Sequence, residues 1–329
     1  MGWLTRLRPD PYIVAILLMV GLATLLPVSG QAALDFGWFT KGMIALLFFL
    51  HGAKLSREAV IAGLTHWRLH LLVLGATFVL FPLLGLSARL IPAAILPPTL
   101  SAGVLFLCCL PSTVQSSIAF TSVARGNVAA AVCAASASNL FGIFITPLLI
   151  ALLMQGNGSG ISLGEVESVV VQLLLPFIAG QIARRWIGGW MKEHSRLVGL
   201  VDRGSILLIV YGAFSDAVTH DIWHKVSLAQ ILWLVGVCCV LLAVILALTT
   251  LAARMLGFNK EDEITIVFCG SKKSLASGVP MANILFPPGA HGSERVVGML
   301  VLPLMIFHQL QLMACAVVAQ RYAARPEVG

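Results

Sequence analysis

Apolar runs of about 20 residues, separated by short charged loops, constrain this chain more than any other feature. A run of that length crosses the hydrocarbon core of a bilayer as a helix. Backbone N–H and C=O groups find no water there, and a helix satisfies them within one segment. Only 11% of the residues are charged and 59% are hydrophobic, whereas a soluble domain keeps roughly a quarter of its residues charged. The chain therefore reads as an all-α, multi-pass membrane protein, surrounded by lipid. Ten spans are expected, at 11–28, 38–53, 67–90, 98–123, 127–153, 166–186, 202–220, 228–254, 261–287 and 293–319. The first run begins at Pro11 and has no small-residue cleavage site, so it reads as a span and not as a signal peptide.

Basic residues set the orientation, because Lys and Arg accumulate in cytoplasmic loops. With the N-terminus in the cytoplasm, Arg6, Arg8, Lys54, Arg57, Arg68, Arg125, Arg184, Arg185, Lys192, Arg196, Arg203, Arg254, Lys260, Arg321 and Arg325 fall inside. Only Lys41, Arg89, Lys225 and Arg295 fall outside. This segregation predicts an inner-membrane protein with both termini cytoplasmic. Of the 21 basic residues, Lys272 and Lys273 alone belong to neither side.

The Gly-rich turn Gln155–Gly164 divides the chain nearly in half. Five spans on each side would have opposite topologies, an arrangement common in secondary transporters. The expected division is a first five-helix repeat at 1–155, a connecting loop at 156–164 and a second five-helix repeat at 165–329. Short internal matches agree with it. Lys41-Gly-Met-Ile-Ala-Leu-Leu resembles Arg203-Gly-Ser-Ile-Leu-Leu-Ile, and Ile145-Thr-Pro-Leu-Leu-Ile resembles Val301-Leu-Pro-Leu-Met-Ile.

Spans 4 and 9 are the unusual members of their halves. The first holds Leu110-Pro-Ser-Thr-Val-Gln-Ser-Ser and the second Cys269-Gly-Ser-Lys-Lys-Ser-Leu-Ala-Ser-Gly. Pro and Gly weaken the helical ladder at mid-membrane, and the freed backbone groups need partners. Interrupted helices at corresponding places in two halves point to a transport site. The half-helix N-termini after each break carry positive dipole ends suited to an anion. Ser112, Thr113, Gln115, Ser116 and Ser117, with Ser271 and Ser274, are therefore candidates for substrate or ion contact. The bland alternative is two kinked helices whose hydroxyls bond their own backbone.

Lys272 and Lys273 lie about ten residues into span 9. An unpaired ammonium at that depth costs on the order of 3 kcal/mol. Each must pair with carbonyls, hydroxyls or a bound anion, or give up its proton. Three functional readings follow: an ammonium standing where a metal cation would bind, an anion-binding lysine, and a lysine that carries the driving proton. The structural alternative is a lysine capping the carbonyls at the end of a half-helix. His308 and Gln309 late in span 10, and His51 at the end of span 2, are further polar candidates. Ser136, Ser138 and Asn139 in span 5 belong to a small-residue stretch that favours tight helix packing. The seven cysteines lie in apolar runs, with no CxxC pair, so no metal or disulfide framework is indicated. No basic patch is interleaved with aromatics, so nucleic acid is not an expected partner.

The stretch from Pro111 through Ala124-Arg-Gly-Asn-Val-Ala, Ser136-Ala-Ser and Thr146-Pro resembles the bile acid:sodium symporter family, solute carrier family 10. Phe268-Cys-Gly-Ser-Lys-Lys-Ser-Leu-Ala-Ser-Gly-Val-Pro-Met and Phe48-Phe-Leu-His-Gly-Ala-Lys-Leu resemble its divergent seventh-member-like branch. The resemblance covers essentially the whole chain. It implies ten helices, a panel domain from spans 1, 2, 6 and 7, and a core domain from spans 3–5 and 8–10, with spans 4 and 9 crossing where they unwind. It also implies sodium sites beside that crossing. Carried over by position, their ligands would fall on Ser116 and Ser117, on Ala131 and Ala135, on Thr77 counted back from Pro82, and in the Ser271–Lys273 region. His308 and Gln309 match a polar pair that lines the substrate cavity. Hard cations want several oxygens and usually a carboxylate. Here the acid is replaced by cations, so at most vestigial sodium sites are expected near Ser116 and Ser117. We expect Lys272 or Lys273 to take the place of bound sodium.

The leading expectation is a secondary transporter of a small organic anion working by alternating access, coupled to Na⁺ or H⁺, with no other cofactor and no enzymatic activity. The alternative from a different class is a membrane ligand-binding regulator without transport. A Ser/Lys hydrolase built on Ser271 or Ser274 lacks any GxSxG or HExxH companion. The substrate, the direction of transport and the oligomeric state leave no mark on the sequence.

Overall fold

The computed structural model describes residues 11–54, 66–154, 163–219, 227–286 and 297–325. The described residues are helices and short turns, with no strand among them. In chain order the helices are α1 (Pro11–Leu25), α2 (Gly30–Lys54), α3 (Trp67–Leu90), α4 (Pro98–Cys109), α5 (Gln115–Val123), α6 (Val128–Leu153), α7 (Leu163–Glu193), α8 (Ser195–Thr219), α9 (Leu228–Met255), α10 (Lys260–Gly270), α11 (Leu275–Leu285) and α12 (Val297–Ala323). Each expected span falls on one of these helices, or, for spans 4 and 9, on a pair of short helices flanking a break. Among the described residues, α2, α3, α6, α8, α9 and α12 are long and apolar enough to cross a membrane. Their outer faces carry large exposed apolar side chains, among them Trp38, Val79, Leu83, Leu148, Leu232 and Val240. Lipid must cover such a surface.

Two groups of helices pack within themselves. Helices α1, α2, α7 and α8 contact one another, most extensively α2 with α7. That close approach depends on Gly52 and Gly180. A Cβ at Gly52 would overlap the Phe177 carbonyl, and one at Gly180 the Phe49 carbonyl. The second group comprises α3 to α6 and α9 to α12. Its core includes Phe81 edge-on against Phe307, with ring centroids 6.0 Å apart. Contacts of α8 with α11 and α12, and of α6 with α7, join the groups. One end of the second group is tied by Lys260 and Arg254 on Glu263, at 2.7 and 3.3 Å. There Arg325 also caps the end of α5 through the Ala124 and Arg125 carbonyls.

The start of span 7 is corrected. Span 7 was expected to begin at residue 202, yet α8 begins at Ser195, so Asp202 lies two turns inside a helix. Arg196 masks the apolar run there and delays its apparent start. Cys239 is exposed on α9, unlike the other six cysteines, which are buried. Its neighbour Cys238 takes the inward face, and adjacent helical positions point about 100° apart. Gln309, expected in the cavity, is placed elsewhere, as described below. Of the expected connecting loop 156–164, residues 156–162 lie outside the described residues and 163–164 already belong to α7; Arg6, Arg8, Arg57, Lys225 and Arg295 of the charge count also lie outside the described residues.

Candidate functional site

The two breaks meet. Residues 110–114 separate α4 from α5, and residues 271–274 separate α10 from α11. They touch backbone to backbone, where the Ser274 N–H donates to the Pro111 carbonyl at 2.9 Å. A helix end leaves carbonyls without intrahelical partners, and at membrane depth something must satisfy them. Here each broken span caps the other.

Lys273 is fully buried. Its Nζ donates to the Cys108 and Leu110 carbonyls, both at 2.7 Å, and to the Thr77 carbonyl at 2.8 Å. An ammonium has three N–H donors, and all are used. The negative end of the α4 dipole favours a cation at that point. The Phe81 ring lies beneath, its centroid 4.1 Å from Nζ. Thr77 is available for a local reason. It lies in a π turn over Ala76–Leu80, where the Phe81 N–H bonds the Ala76 carbonyl. In that i to i+5 pattern the partner of Thr77 would be Pro82, which has no N–H. The Thr77 carbonyl therefore turns to the lysine, while its hydroxyl returns to the Val73 carbonyl at 2.8 Å.

The capping is reciprocal. Ser112 Oγ donates to the Cys269 carbonyl at 2.6 Å and Ser117 Oγ to the Phe268 carbonyl at 3.1 Å, both at the end of α10. Ser112 and Lys273 are 161 residues apart, as are the carbonyls they cap, Cys269 and Cys108. Each break is also held by the helix that follows its broken span, α6 for the first and α12 for the second. Ser138 Oγ accepts from the Ser112 N–H at 3.0 Å, and Asn139 Nδ2 donates to the Ser112 carbonyl at 2.7 Å. Gln311 does both for Lys273, accepting from its N–H at 2.9 Å and donating to its carbonyl at 3.0 Å. Asn139 then links the two breaks, because its Oδ1 accepts from Ser277 Oγ at 2.8 Å. Ser274 caps α11, accepting from the Ser277 N–H.

Lys272 is also fully buried, but its setting differs. Its Nζ donates to the Ser116 carbonyl at 2.8 Å and lies over the Phe120 ring, 3.9 Å from the centroid, with Phe268 at 5.4 Å. One oxygen and two aromatic faces hold this ammonium. Neither Lys272 nor Lys273 donates to a serine hydroxyl among the described residues.

A cavity of about 540 Å³ adjoins the crossing. One wall is Thr113, Gln115, Ser116, Ser136, Asn139, Ser274, Ser277 and His308. The other comes from α2, α7 and α8 as His51, Lys54, Phe177, Asp202 and Arg203. The N-terminal turns of α5 and α11 thus both border the cavity. Thr113 Oγ1 and Ser116 Oγ share a hydrogen bond of 2.7 Å. Ser271 is buried in its break, its N–H bonded to the Val267 carbonyl at 3.2 Å.

The sequence candidates divide accordingly. Thr113, Gln115, Ser116, Ser136, Asn139, Ser274, His51 and His308 border the cavity. Ser112, Ser117, Ser138, Lys273 and the Thr77 carbonyl serve the crossing behind it. Gln309 borders neither; Gln311, one turn from His308, is buried at the crossing, with Nε2 2.9 Å from His308 Nδ1. Helical neighbours three apart share a face, and adjacent residues do not. Ala131 and Ala135 offer no side-chain oxygen to a cation. Sequence reasoning missed the Lys54–Asp202 pair, at 2.6 Å. The match between the Lys41 and Arg203 segments pointed at this region of α8 without naming the acid beside it.

Comparison with known proteins identifies the family. A family description, the SBF-like CPA transporter family, matches residues 10–324. An uncharacterized protein of Pseudomonas aeruginosa, PA2026, is 59% identical over 97% of this chain and 95% of its own length. The putative symporter YfeH of Escherichia coli is 55% identical over 97% of this chain and 94% of its own. Sodium/bile acid cotransporter 7-A of Xenopus laevis is 30% identical over 95% of this chain and 91% of its own. With bacterial relatives this similar, the chain is a multi-pass inner-membrane protein. Its helices, its crossing and its relatives lead to one assignment: the chain belongs to the SBF-like CPA transporter family.

Proposed function

We propose that this protein is a secondary transporter that carries a small organic anion by alternating access, with ammonium groups in place of sodium at its crossing. The observation that carries the reading is the cavity between the α2/α7/α8 wall and the crossing of α4–α5 with α10–α11. Its wall presents Lys54, Arg203 and two histidines against one carboxylate, Asp202. Two half-helix N-termini, those of α5 and α11, border the same cavity and favour an anion. The reciprocal caps 161 residues apart support two inverted five-helix repeats, at 1–155 and 165–329, joined through 156–164. The packing of α1, α2, α7 and α8 supports a panel moving against a core built from the rest. The basic-residue distribution supports cytoplasmic termini and a cavity facing the cytoplasm, where Lys54 lies. Carbonyls that could bind a cation are filled by Lys273 and Lys272, and the acid expected among them is missing. This supports operation without sodium.

The test is reconstitution in lipid vesicles with radiolabelled organic anions, beginning with taurocholate, the class named for the cotransporter relatives. We expect saturable uptake that persists in choline medium and fails when Ser116 is replaced by Trp to fill the cavity. Saturable binding, read by tryptophan fluorescence, without flux would favour a ligand-binding regulator. Absence of both binding and flux across the anion series would overturn the anion reading.

A further inference from the structure

Lys273 is a poor carrier for a coupling proton, because loss of any of its protons strands a carbonyl of Thr77, Cys108 or Leu110. The cavity offers one other kind of group. Among the described residues, Asp202 is the single carboxylate on its wall. Its Oδ2 accepts from Lys54 Nζ at 2.6 Å, while its Oδ1 is buried with no hydrogen-bond partner. A buried carboxylate oxygen without a donor is costly, and a proton supplies what it lacks. The two partners also differ in freedom: the Lys54 side chain is 35% exposed and that of Asp202 only 7%. Lys54 can leave the pair, and Asp202 stays where it is.

We propose that Asp202 is the proton-binding site of this transporter, and that substrate and proton are coupled by competition for Lys54. An anion entering the cavity draws the Lys54 ammonium onto its own oxygens. Lys54 keeps its proton. The carboxylate left behind takes a proton on Oδ1 from hydronium reaching the cavity from bulk solution, forming one O–H bond, leaving water and becoming neutral. Release of the anion reverses both events, so each ligand favours the other. The charged and titratable groups facing Asp202 across this cavity are His51 and Lys54 from α2, Arg203 from α8 itself and His308 from α12. Helix α7 contributes Phe177, and α11 contributes Ser274 and Ser277. None of these can hold the Asp202 proton in its place except the two histidines, and the test separates those.

This inference rests on the transport reading, but its test requires no flux. The full chain is placed in lipid vesicles, and infrared difference spectra are recorded on addition of taurocholate, against the same vesicles without it, at fixed pH values between about 8 and about 5, the range over which histidine also titrates. Wild type, Asp202→Asn and Asp202→Glu are compared, each with isotope-labelled aspartate. Wild type is expected to gain a carboxylic-acid C=O band that shifts with the label. Asp202→Asn should lose that band, and Asp202→Glu should show it without the isotope shift. The glutamate variant keeps the result decidable if the asparagine variant does not fold. A wild-type spectrum without a labelled carboxylic-acid band, or one that Asp202→Glu leaves unchanged, would overturn the proposal, even where vesicle flux is seen. A failure of flux with the band present would overturn the transport reading instead.

Discussion

Replacing Lys273 by methionine is expected to lower the stability of the folded protein by at least about 3 kcal/mol, because three buried carbonyls lose their donor at about 1–3 kcal/mol each. Methionine fills much of the lysine stem but donates nothing to Thr77, Cys108 and Leu110. Water could replace the ammonium only by entering beneath Phe81, whose ring lies 4.1 Å from Nζ. Lys272→Met should cost much less. That ammonium has one carbonyl acceptor, Ser116, and two aromatic faces, and methionine sulfur also packs well against aromatic rings. Thermal unfolding of both purified variants in one detergent checks the asymmetry. Equal losses would mean that the two lysines share one role, contrary to their geometry.

Asn139→Leu is the second large effect. The carboxamide bonds the Ser112 carbonyl at 2.7 Å and the Ala135 carbonyl at 3.0 Å, and accepts from Ser277 Oγ at 2.8 Å. Leucine is close in size, so the loss is one of hydrogen bonds and not of volume. Ser277 keeps its hydrogen bond with Ser274 Oγ, so the main loss is the donor to the Ser112 carbonyl, which should destabilise by about 1–3 kcal/mol. Because Asn139 also borders the cavity, anion binding should weaken together with melting temperature. Asn139→Asp keeps the acceptor for Ser277 but sets a carboxylate oxygen against the Ser112 carbonyl, so it should be no more stable than the leucine variant. A leucine variant that melts like wild type would show that the breaks hold together without this bridge.

Much of the helical layout was legible in the sequence, because membrane insertion imposes one length and one composition on every span. The broken spans were legible for the same reason: Pro111 and Gly270 stand among hydroxyls where the run should be unbroken. Partners were harder to read. Ser138 and Asn139 carry the signature of close packing, and nothing local reveals that they face the Ser112 backbone. Gln311 could have been preferred to Gln309 by helical spacing from His308. The π turn at Thr77 had a visible cause in Pro82, but the lysine that exploits it lies 196 residues away. Asp202 was hidden by Arg196, which moved the apparent start of α8 to Asp202 itself and made it look like a span-end charge. Lone charges at span ends look alike in sequence, and only packing distinguishes an ion pair on a cavity wall from a residue in solvent.

The account turns on ammonium in place of sodium, and the most direct test is the melting temperature of the purified protein in sodium chloride against choline chloride at equal ionic strength. A ligand present at 100 times its Kd stabilises by about 2.7 kcal/mol, so an occupied sodium site would be visible. We predict coincident melting curves for the wild-type protein across the whole sodium range. A saturable rise of melting temperature with sodium would place a cation at the crossing and contradict the role assigned to Lys272 and Lys273.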